Sequence, residues 1–126
     1  MLTKNKYKNN CDIATKLYLE TFGGTYVEQI GRTFVNVDDK EIRVSASMDK
    51  IGFMVTATDT KPGIAPDYLY LIDEYAILRE YPDGRVFWFI IKNPDEIIEY
   101  IEQKKNRRIP WKELIFFPSC KTRRVK

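Results

Sequence analysis

Apolar residues follow a helical spacing near the start of the chain and a strand-like spacing over much of the rest. Residues 9–24, NNCDIATKLYLETFGG, predict an amphipathic helix that begins at Asn9 or Asn10 and ends at the glycine pair. Three short segments rich in β-branched and aromatic residues follow, separated by glycine or by the acidic turn DDK: TYVEQIG, RTFVNV and EIRVSASM. They predict three consecutive antiparallel strands.

The second half of the chain predicts further strands and one late helix. The strand-like segments are IGFMVTATD, DYLYLID, AILREY and RVFWFIIKN, of which the last is the most apolar and predicts a central strand. NPDEIIEYIEQKK predicts a helix capped by Asn93, and IPWKELIFFPS predicts a short strand or an apolar plug. The pattern indicates one α+β domain over residues 1–126, with a basic C-terminal tail at 119–126.

Composition narrows the class of protein. With 44% apolar and 31% charged residues, the chain is typical of a globular domain. It has no apolar run of about 20 residues and no signal peptide, so we expect a cytoplasmic protein without a membrane partner. The absence of histidine excludes Ser-His-Asp and Cys-His catalysis and zinc fingers. Chemistry would depend on carboxylates, lysine, tyrosine or a hard metal ion.

Positive charge is concentrated at the C-terminal end. Residues 104–126 carry nine Lys or Arg residues and one acid, whereas the rest of the chain has 12 basic and 17 acidic residues. This polarity predicts a nucleic-acid-binding end, although a solvated tail stays open. The candidate contacts are Lys104, Lys105, Arg107, Arg108, Lys121, Arg123, Arg124 and Lys126. Tyr100, Trp111, Phe116 and Phe117 lie between them and predict either core packing or base stacking.

The order of elements resembles that of the PD-(D/E)xK nuclease superfamily, in particular its small intron-type and Holliday-junction-resolvase-like endonucleases. The segment CDIAT is similar to the first-helix motif of those families and places Asp12 at its acidic position. IRVSAS, IGFMVTATD, PDYLYLID and RVFWFIIKNPDE correspond to the strands that follow. The resemblance implies a restriction-endonuclease-like mixed sheet with an N-terminal helix and a late C-terminal helix. In active members, carboxylates on adjacent strands hold Mg²⁺ beside a lysine.

The chain departs from that motif at its strand positions. The first aspartate's place falls near Arg32 or Thr33, the glutamate's place is Arg43 and the lysine's place is Ser45. A guanidinium cannot bind a cation, and a serine hydroxyl is a poor base at neutral pH. The resemblance therefore implies a degenerate catalytic site without a metal cofactor.

Two other arrangements stay open. A second register uses Asp67 and Lys92, but places Ile90 where a glutamate is needed. Alternatively, an irregular carboxylate set rebuilds a magnesium site; its members would be Asp12, Asp38, Asp39 and Glu41. An acidic hairpin turn exposed to water is the commoner explanation for the last three.

We therefore predict a nucleic-acid-binding protein on a nuclease-like fold, with DNA preferred over RNA. One alternative is an inhibitor or accessory protein of a phage or mobile element that binds a host protein. Another is an active Mg²⁺-dependent endonuclease that uses the irregular carboxylate set. A homodimer is compatible with each of these.

Overall fold

The structure is a computed structural model that describes residues 1–4, 6–29, 32–57 and 61–126, with the side chains of residues 28, 29 and 32 left out. The ends of two predicted strands, residues 30–31 and 58–59, lie outside the described part. The elements in chain order are α1 (Tyr7–Phe22), β1 (Thr25–Gln29), β2 (Arg32–Val37), β3 (Lys40–Ser47), β4 (Gly52–Met54), a 3-10 helix (Asp67–Tyr70), β5 (Glu74–Glu80), β6 (Val86–Ile91), α2 (Asp95–Lys104), β7 (Arg108–Pro110), α3 (Trp111–Leu114) and β8 (Cys120–Arg124).

A six-stranded mixed sheet organises the fold. Its strand order is β1-β2-β3-β5-β6-β8, in which β3 and β5 are parallel and the other neighbours are antiparallel. The predicted α+β class, with a mixed sheet, an N-terminal helix and a later helix, is confirmed. The predicted meander of three antiparallel strands is β1, β2 and β3. No helix in the described residues is long and apolar enough to cross a membrane.

Each face of the sheet carries its own apolar core, because successive strand residues point to opposite sides. On the α1 face, Ala14 and Tyr18 of α1 join a cluster that includes Val44 and Trp88. On the α2 face, strand residues such as Ile77 pack with α2, the 3-10 helix, β4, β7 and α3. Burial of both faces explains why the first part of β5 and all of β6 are nearly continuous apolar runs.

The first helix begins two to three residues before the predicted cap. Asn10 is buried inside it, and its side chain binds the main chain of Thr3 through bonds of 2.8 and 2.7 Å instead of capping the helix. The predicted glycine end is confirmed, because Gly23 has a φ of 80° and its N–H donates to the Leu19 carbonyl at 2.9 Å.

One of the later strand predictions was wrong, and another is confirmed only over a short stretch. DYLYLID contains a 3-10 helix that buries Tyr68 and Leu69 and leaves Tyr70 60% exposed, because these residues form a turn closed by main-chain bonds and their side chains do not alternate between two faces of a sheet. In IGFMVTATD, the described residues 51–57 contain the short strand β4, which pairs with β7 in a separate two-stranded sheet. IPWKELIFFPS contains the end of β7 and then α3.

The predicted basic tail at residues 119–126 contains an edge strand. β8 pairs antiparallel with β6, with Lys121 opposite Ile90 and Arg123 opposite Trp88. The pairing depends on main-chain hydrogen bonds, so it needs no alternation of apolar residues in β8. This is why a purely hydrophobic pattern does not reveal the strand.

Candidate nucleic-acid interface

The acidic residues of VDDKE form a hairpin turn between β2 and β3. Asp38 and Asp39 have φ angles of 50° and 65°, as in a two-residue type I′ turn, which aspartate tolerates better than most residues. Both side chains are exposed. Glu41 is half-buried, and its main-chain N–H donates to the Asp73 carboxylate at 2.8 Å.

Asp12 lies on the solvent side of α1. Its carboxylate is 3.8 Å from the Lys8 ammonium, one helical turn earlier. Among the described residues, no three acidic or cysteine side chains lie close enough together to hold a metal ion. The irregular carboxylate set is therefore not gathered around a common point in the described structure.

Arg43 stands where the nuclease resemblance expects a metal-binding glutamate. It is almost completely buried, with 1% of its surface exposed. Its Nη1 donates to the Thr33 carbonyl and hydroxyl at 3.2 Å each, and also to the Val44 carbonyl. Its Nη2 donates to the Tyr7 hydroxyl at 3.0 Å. Thr33, the place proposed for the first aspartate, is thus an acceptor for the arginine; the side chain of Arg32, the other proposed place, is outside the described residues.

Ser45 belongs to the same buried group. Its hydroxyl lies 3.1 Å from the Tyr7 hydroxyl, which in turn lies 2.6 Å from that of Thr56. Aromatic rings complete the surroundings, since the Arg43 guanidinium carbon is 5.9 Å from the ring centroids of both Phe34 and Tyr68. We call this group the Arg43 cluster; its members are Tyr7, Thr33, Phe34, Arg43, Ser45, Thr56, Tyr68 and Tyr75.

The electrostatics of the cluster keep the arginine charged. Burial acts to lower the pKa of Arg43, but the hydroxyl groups of Tyr75, Tyr7 and Tyr68 outweigh it, and the pKa is raised. Burial raises the pKa of Tyr75 well above its ordinary value. The place that the resemblance gives to a metal-binding glutamate therefore holds a permanent positive charge.

The basic residues predicted between α2 and β7 divide into two pairs. Lys104 and Lys105 are exposed at the C-terminal end of α2. Arg107 and Arg108 are half-buried and bind the fold itself: Arg107 donates to the Ala57 carbonyl at 3.3 Å, and Arg108 forms an ion pair with Asp49. The second pair thus has structural partners.

The basic residues of β8 lie along the open edge of the sheet. Lys121, Arg123, Arg124 and Lys126 are exposed, and residues 120–126 contain no acid. By register, Lys121 and Arg123 lie on the α1 face, whereas Arg124 is opposite Phe87 and lies on the α2 face. The Arg123 and Arg124 guanidinium carbons are 5.0 Å and 5.8 Å from the rings of Phe22 and Phe87.

A row of arginines and aromatic rings continues from β8 across the α2 face. Arg79 of β5, Phe87 of β6 and Arg124 of β8 are successive partners in the register. Beside them, Tyr81 lies 5.6 Å from the Phe87 ring, measured between centroids. The guanidinium carbons of Arg79 and Arg85 lie 4.0 and 4.4 Å from the Tyr81 ring centroid.

Trp111 ends the row, with its ring centroid 4.4 Å from the Arg79 guanidinium carbon. We call this row the arginine–aromatic ladder; its members are Arg79, Tyr81, Arg85, Phe87, Trp111 and Arg124. Burial and the neighbouring Arg85 lower the pKa of Arg79, although Tyr81 acts in the opposite direction. Since arginine begins from such a high pKa, Arg79 stays a cation at neutral pH.

Two clefts lie on either side of residues 48–51, which follow β3. The smaller, which we call the cationic cleft, has a volume of about 580 Å³. Its described lining contains three cations and no acid: Lys50, Ile51, Arg79, Pro110, Trp111, Lys112 and Ile115. The larger, of about 710 Å³, is lined by Lys4, Lys6 and Lys50 together with Tyr7 and Tyr81.

Both acids of the larger cleft already have positive partners. Glu80 is 3.3 Å from the N-terminal ammonium, and Asp49 is paired with Arg108. Both clefts open at the carboxyl ends of β3 and β5, where open sheets with parallel strands commonly bind ligands.

Sequence reasoning missed the cations that line the clefts. Lys50, Arg79 and Lys112 are far apart in the chain, and only the pairing of β4 with β7 and of β3 with β5 brings them together. One signal was present: Arg79 follows Tyr75 and Ile77 at strand spacing, so it occupies an inward position of an apolar strand. Of the interleaved aromatics, Trp111 is buried, whereas Phe116 is 83% exposed.

Comparison with models of protein families, with curated proteins and with solved structures finds no match to the chain.

Proposed function

We propose that the chain is a nucleic-acid-binding protein, with DNA preferred over RNA, and that it binds through β8 and the arginine–aromatic ladder. The ladder carries the proposal, because it joins three arginines and three aromatic rings in one row that ends at a strand rich in cations. Proteins that bind nucleic acids combine such charges, which displace counterions from phosphates, with aromatic surfaces. The preference for DNA follows from the resemblance to DNA endonucleases.

Catalysis is not part of the proposal. The likeness to PD-(D/E)xK nucleases stays a resemblance of the sequence pattern, and the cation of Arg43 at the glutamate's place supports a binding protein rather than a nuclease. Arg43 is held by hydroxyl and carbonyl acceptors inside the fold, so its charge is not presented to a phosphate.

A salt titration tests the proposal. Fluorescence anisotropy of a labelled oligonucleotide, measured from about 50 to about 200 mM salt, should show affinity that falls steeply with ionic strength. Removing residues 121–126 would also remove most of β8, so charge-neutralising substitutions are preferable. The double variant Lys121→Gln/Arg124→Gln should flatten the slope of log K against log salt by about 1 to 2.

The matched control is Lys104→Gln/Lys105→Gln, which removes the same net charge outside β8 and the ladder. We expect it to change the slope little. The proposal fails if no saturable binding is seen at the lowest salt, or if the control flattens the slope as much as the β8 variant does.

A further inference from the structure

The charged side chains that line the cationic cleft are all positive. Lys50, Arg79 and Lys112 line it without an acid among the lining residues. Like charges in a concavity repel one another across a medium of lower dielectric constant than water. A bound anion would relieve that repulsion, so the cleft is suited to a phosphate.

The rings of the arginine–aromatic ladder hold the Arg79 guanidinium in an orientation that suits a phosphate. Tyr81 and Trp111 lie against its guanidinium at 4.0 and 4.4 Å, which restricts the plane of the group. Its one hydrogen bond within the described residues runs from Nη1 to the Tyr81 hydroxyl, at 3.2 Å. A guanidinium held by its faces presents its edge, and that edge matches the geometry of phosphate oxygens.

The rest of the cleft is apolar and large enough for more than a phosphate. Ile51 and Ile115, both on its lining, are 68% and 45% exposed. Exposed aliphatic side chains next to cations are typical of a surface that binds a ligand with both an apolar part and a negative charge. A nucleotide has both, since its base offers an apolar face and its phosphate a charge.

A duplex cannot use the cleft in this way, because its bases are stacked and paired. Only an unpaired nucleotide can place its base in a concavity without the cost of breaking a base pair and its stacking. We infer that the cationic cleft holds one unpaired nucleotide of a single strand, with its phosphate on Arg79 and Lys112 and its base against Ile51 and Ile115. This inference rests on the proposed function, and it names the single strand as the form of nucleic acid that the protein prefers.

The experiment compares one sequence in two forms. The affinity of a labelled single strand of about ten nucleotides is measured beside that of the blunt duplex with the same sequence, at one salt concentration. We expect the single strand to bind about tenfold more tightly, and Arg79→Gln to reduce single-strand affinity about tenfold while changing duplex affinity much less. Lys112→Gln, which removes an exposed lysine and should leave the fold intact, should have the same selectivity with a smaller effect.

Adenosine monophosphate, adenosine and inorganic phosphate then serve as competitors against the single strand. The monophosphate should compete best, because only it engages both the cations and the apolar wall. Arg85→Gln is the control, since Arg85 stacks on the outer part of the ladder and does not line the cleft. It should lower the affinities for single strand and duplex by similar factors.

The outcomes separate this inference from the proposed function. If single strand and duplex bind equally, and Arg79→Gln and Lys112→Gln weaken both alike, the cleft does not select an unpaired nucleotide although the protein binds nucleic acid. If adenosine competes as well as the monophosphate, the cations do not hold a phosphate and the inference is overturned. If neither form binds, the proposed function fails first.

Discussion

The two ends of the parallel pair β3 and β5 use arginine in opposite ways. At the amino end, Arg43 is opposite Tyr75; at the carboxyl end, Arg79 is opposite Ser47, on the same face of the sheet. Both guanidinium groups lie against aromatic rings, and both have a buried Nε without a hydrogen-bond partner. Arg43 is 1% exposed, however, whereas Arg79 is half-buried and lines a cleft.

The difference shows how surroundings decide the role of a buried cation. A charge removed from water costs several kcal/mol unless polar groups replace the water. Around Arg43 both terminal nitrogens have such partners: Nη1 binds carbonyl and hydroxyl oxygens, and Nη2 binds the Tyr7 hydroxyl. Around Arg79 the rings supply most of the contact, and the edge of the guanidinium stays available. Arg43 therefore stabilises the fold, and Arg79 is available for a ligand.

The largest expected effect is on stability at the amino end. Arg43→Ala removes the donors for Thr33 and Tyr7 and leaves their acceptors in a cavity, so we expect it to lower the free energy of unfolding by about 3 kcal/mol or more. Arg79→Ala should cost about 1 kcal/mol or less, since water can enter the cleft. Urea denaturation followed by circular dichroism measures both. Equal losses of unfolding free energy in the two variants would contradict the proposed difference between Arg43 and Arg79.

The Tyr7 hydroxyl is one of the polar groups that surround Arg43 and distinguish it from Arg79. Tyr7→Phe removes one oxygen that lies within 3.1 Å of Arg43, Ser45 and Thr56, and we expect a loss of about 1 kcal/mol in the free energy of unfolding. Tyr70→Phe is the matched control, because within the described residues that hydroxyl donates to the Glu102 carboxylate alone, on a side chain that is 60% exposed. If both variants have the same urea midpoint, the hydroxyl of Tyr7 does not support the buried arginine.

The local pattern of the sequence predicted only part of the structure around the amino ends of β3 and β5. Periodicity located α1, α2 and the meander, because each depends on neighbours in the chain. The resemblance, not periodicity, drew attention to Arg43 and Ser45, at the glutamate's and lysine's places of a degenerate catalytic site, and it gave no sign that both are buried. Their burial depends on Tyr7 and Thr56, which the fold brings from other segments.

The carboxyl end was harder to predict, since it is assembled from distant segments. The cationic cleft needs the pairing of β4 with β7, and the ladder needs β8 beside β6. β8 has no apolar alternation, because an exposed edge strand needs only main-chain partners and is often rich in lysine and arginine. The charge of residues 121–126 was therefore evident from the sequence, but not its position in the sheet.

Arg79 contributes both a positive charge and a planar group to the arginine–aromatic ladder. Arg79→Lys keeps the charge but loses the planar group that stacks on Tyr81 and Trp111, so we expect single-strand affinity to fall about threefold, with an unchanged salt slope. Arg85→Lys should have less effect, since Tyr81 is the one ladder ring that Arg85 contacts in the described structure, and its Nε is also paired with the Asp83 carboxylate at 2.8 Å. The measurement is the anisotropy titration at several salt concentrations. A lysine at position 79 that binds as well as arginine would show that charge alone matters there.

The smallest effect concerns Asp49, in the loop between the two clefts. Burial acts to raise its pKa, but hydrogen bonds from the Ile51 N–H, Arg108 and the Gly52 N–H outweigh it, so the pKa is lowered. A carboxylate with a lowered folded-state pKa stabilises the fold above its unfolded pKa, and that stability is lost as pH falls through the folded value. The side chain is 39% exposed, so after screening we expect less than ~1 kcal/mol.

Unfolding free energies at about pH 5 and about pH 3 check this, because the ordinary aspartate pKa lies between them. Asp49→Asn should reduce the difference between the two values, and Arg108→Gln should reduce it by a smaller amount, since the two main-chain N–H groups still bind the carboxylate. Wild-type and Asp49→Asn proteins with the same acid dependence would mean that the carboxylate does not hold this loop. The loop matters because Lys50 lines both clefts, so its position couples the carboxyl end of the strand pair to the proposed ligand site.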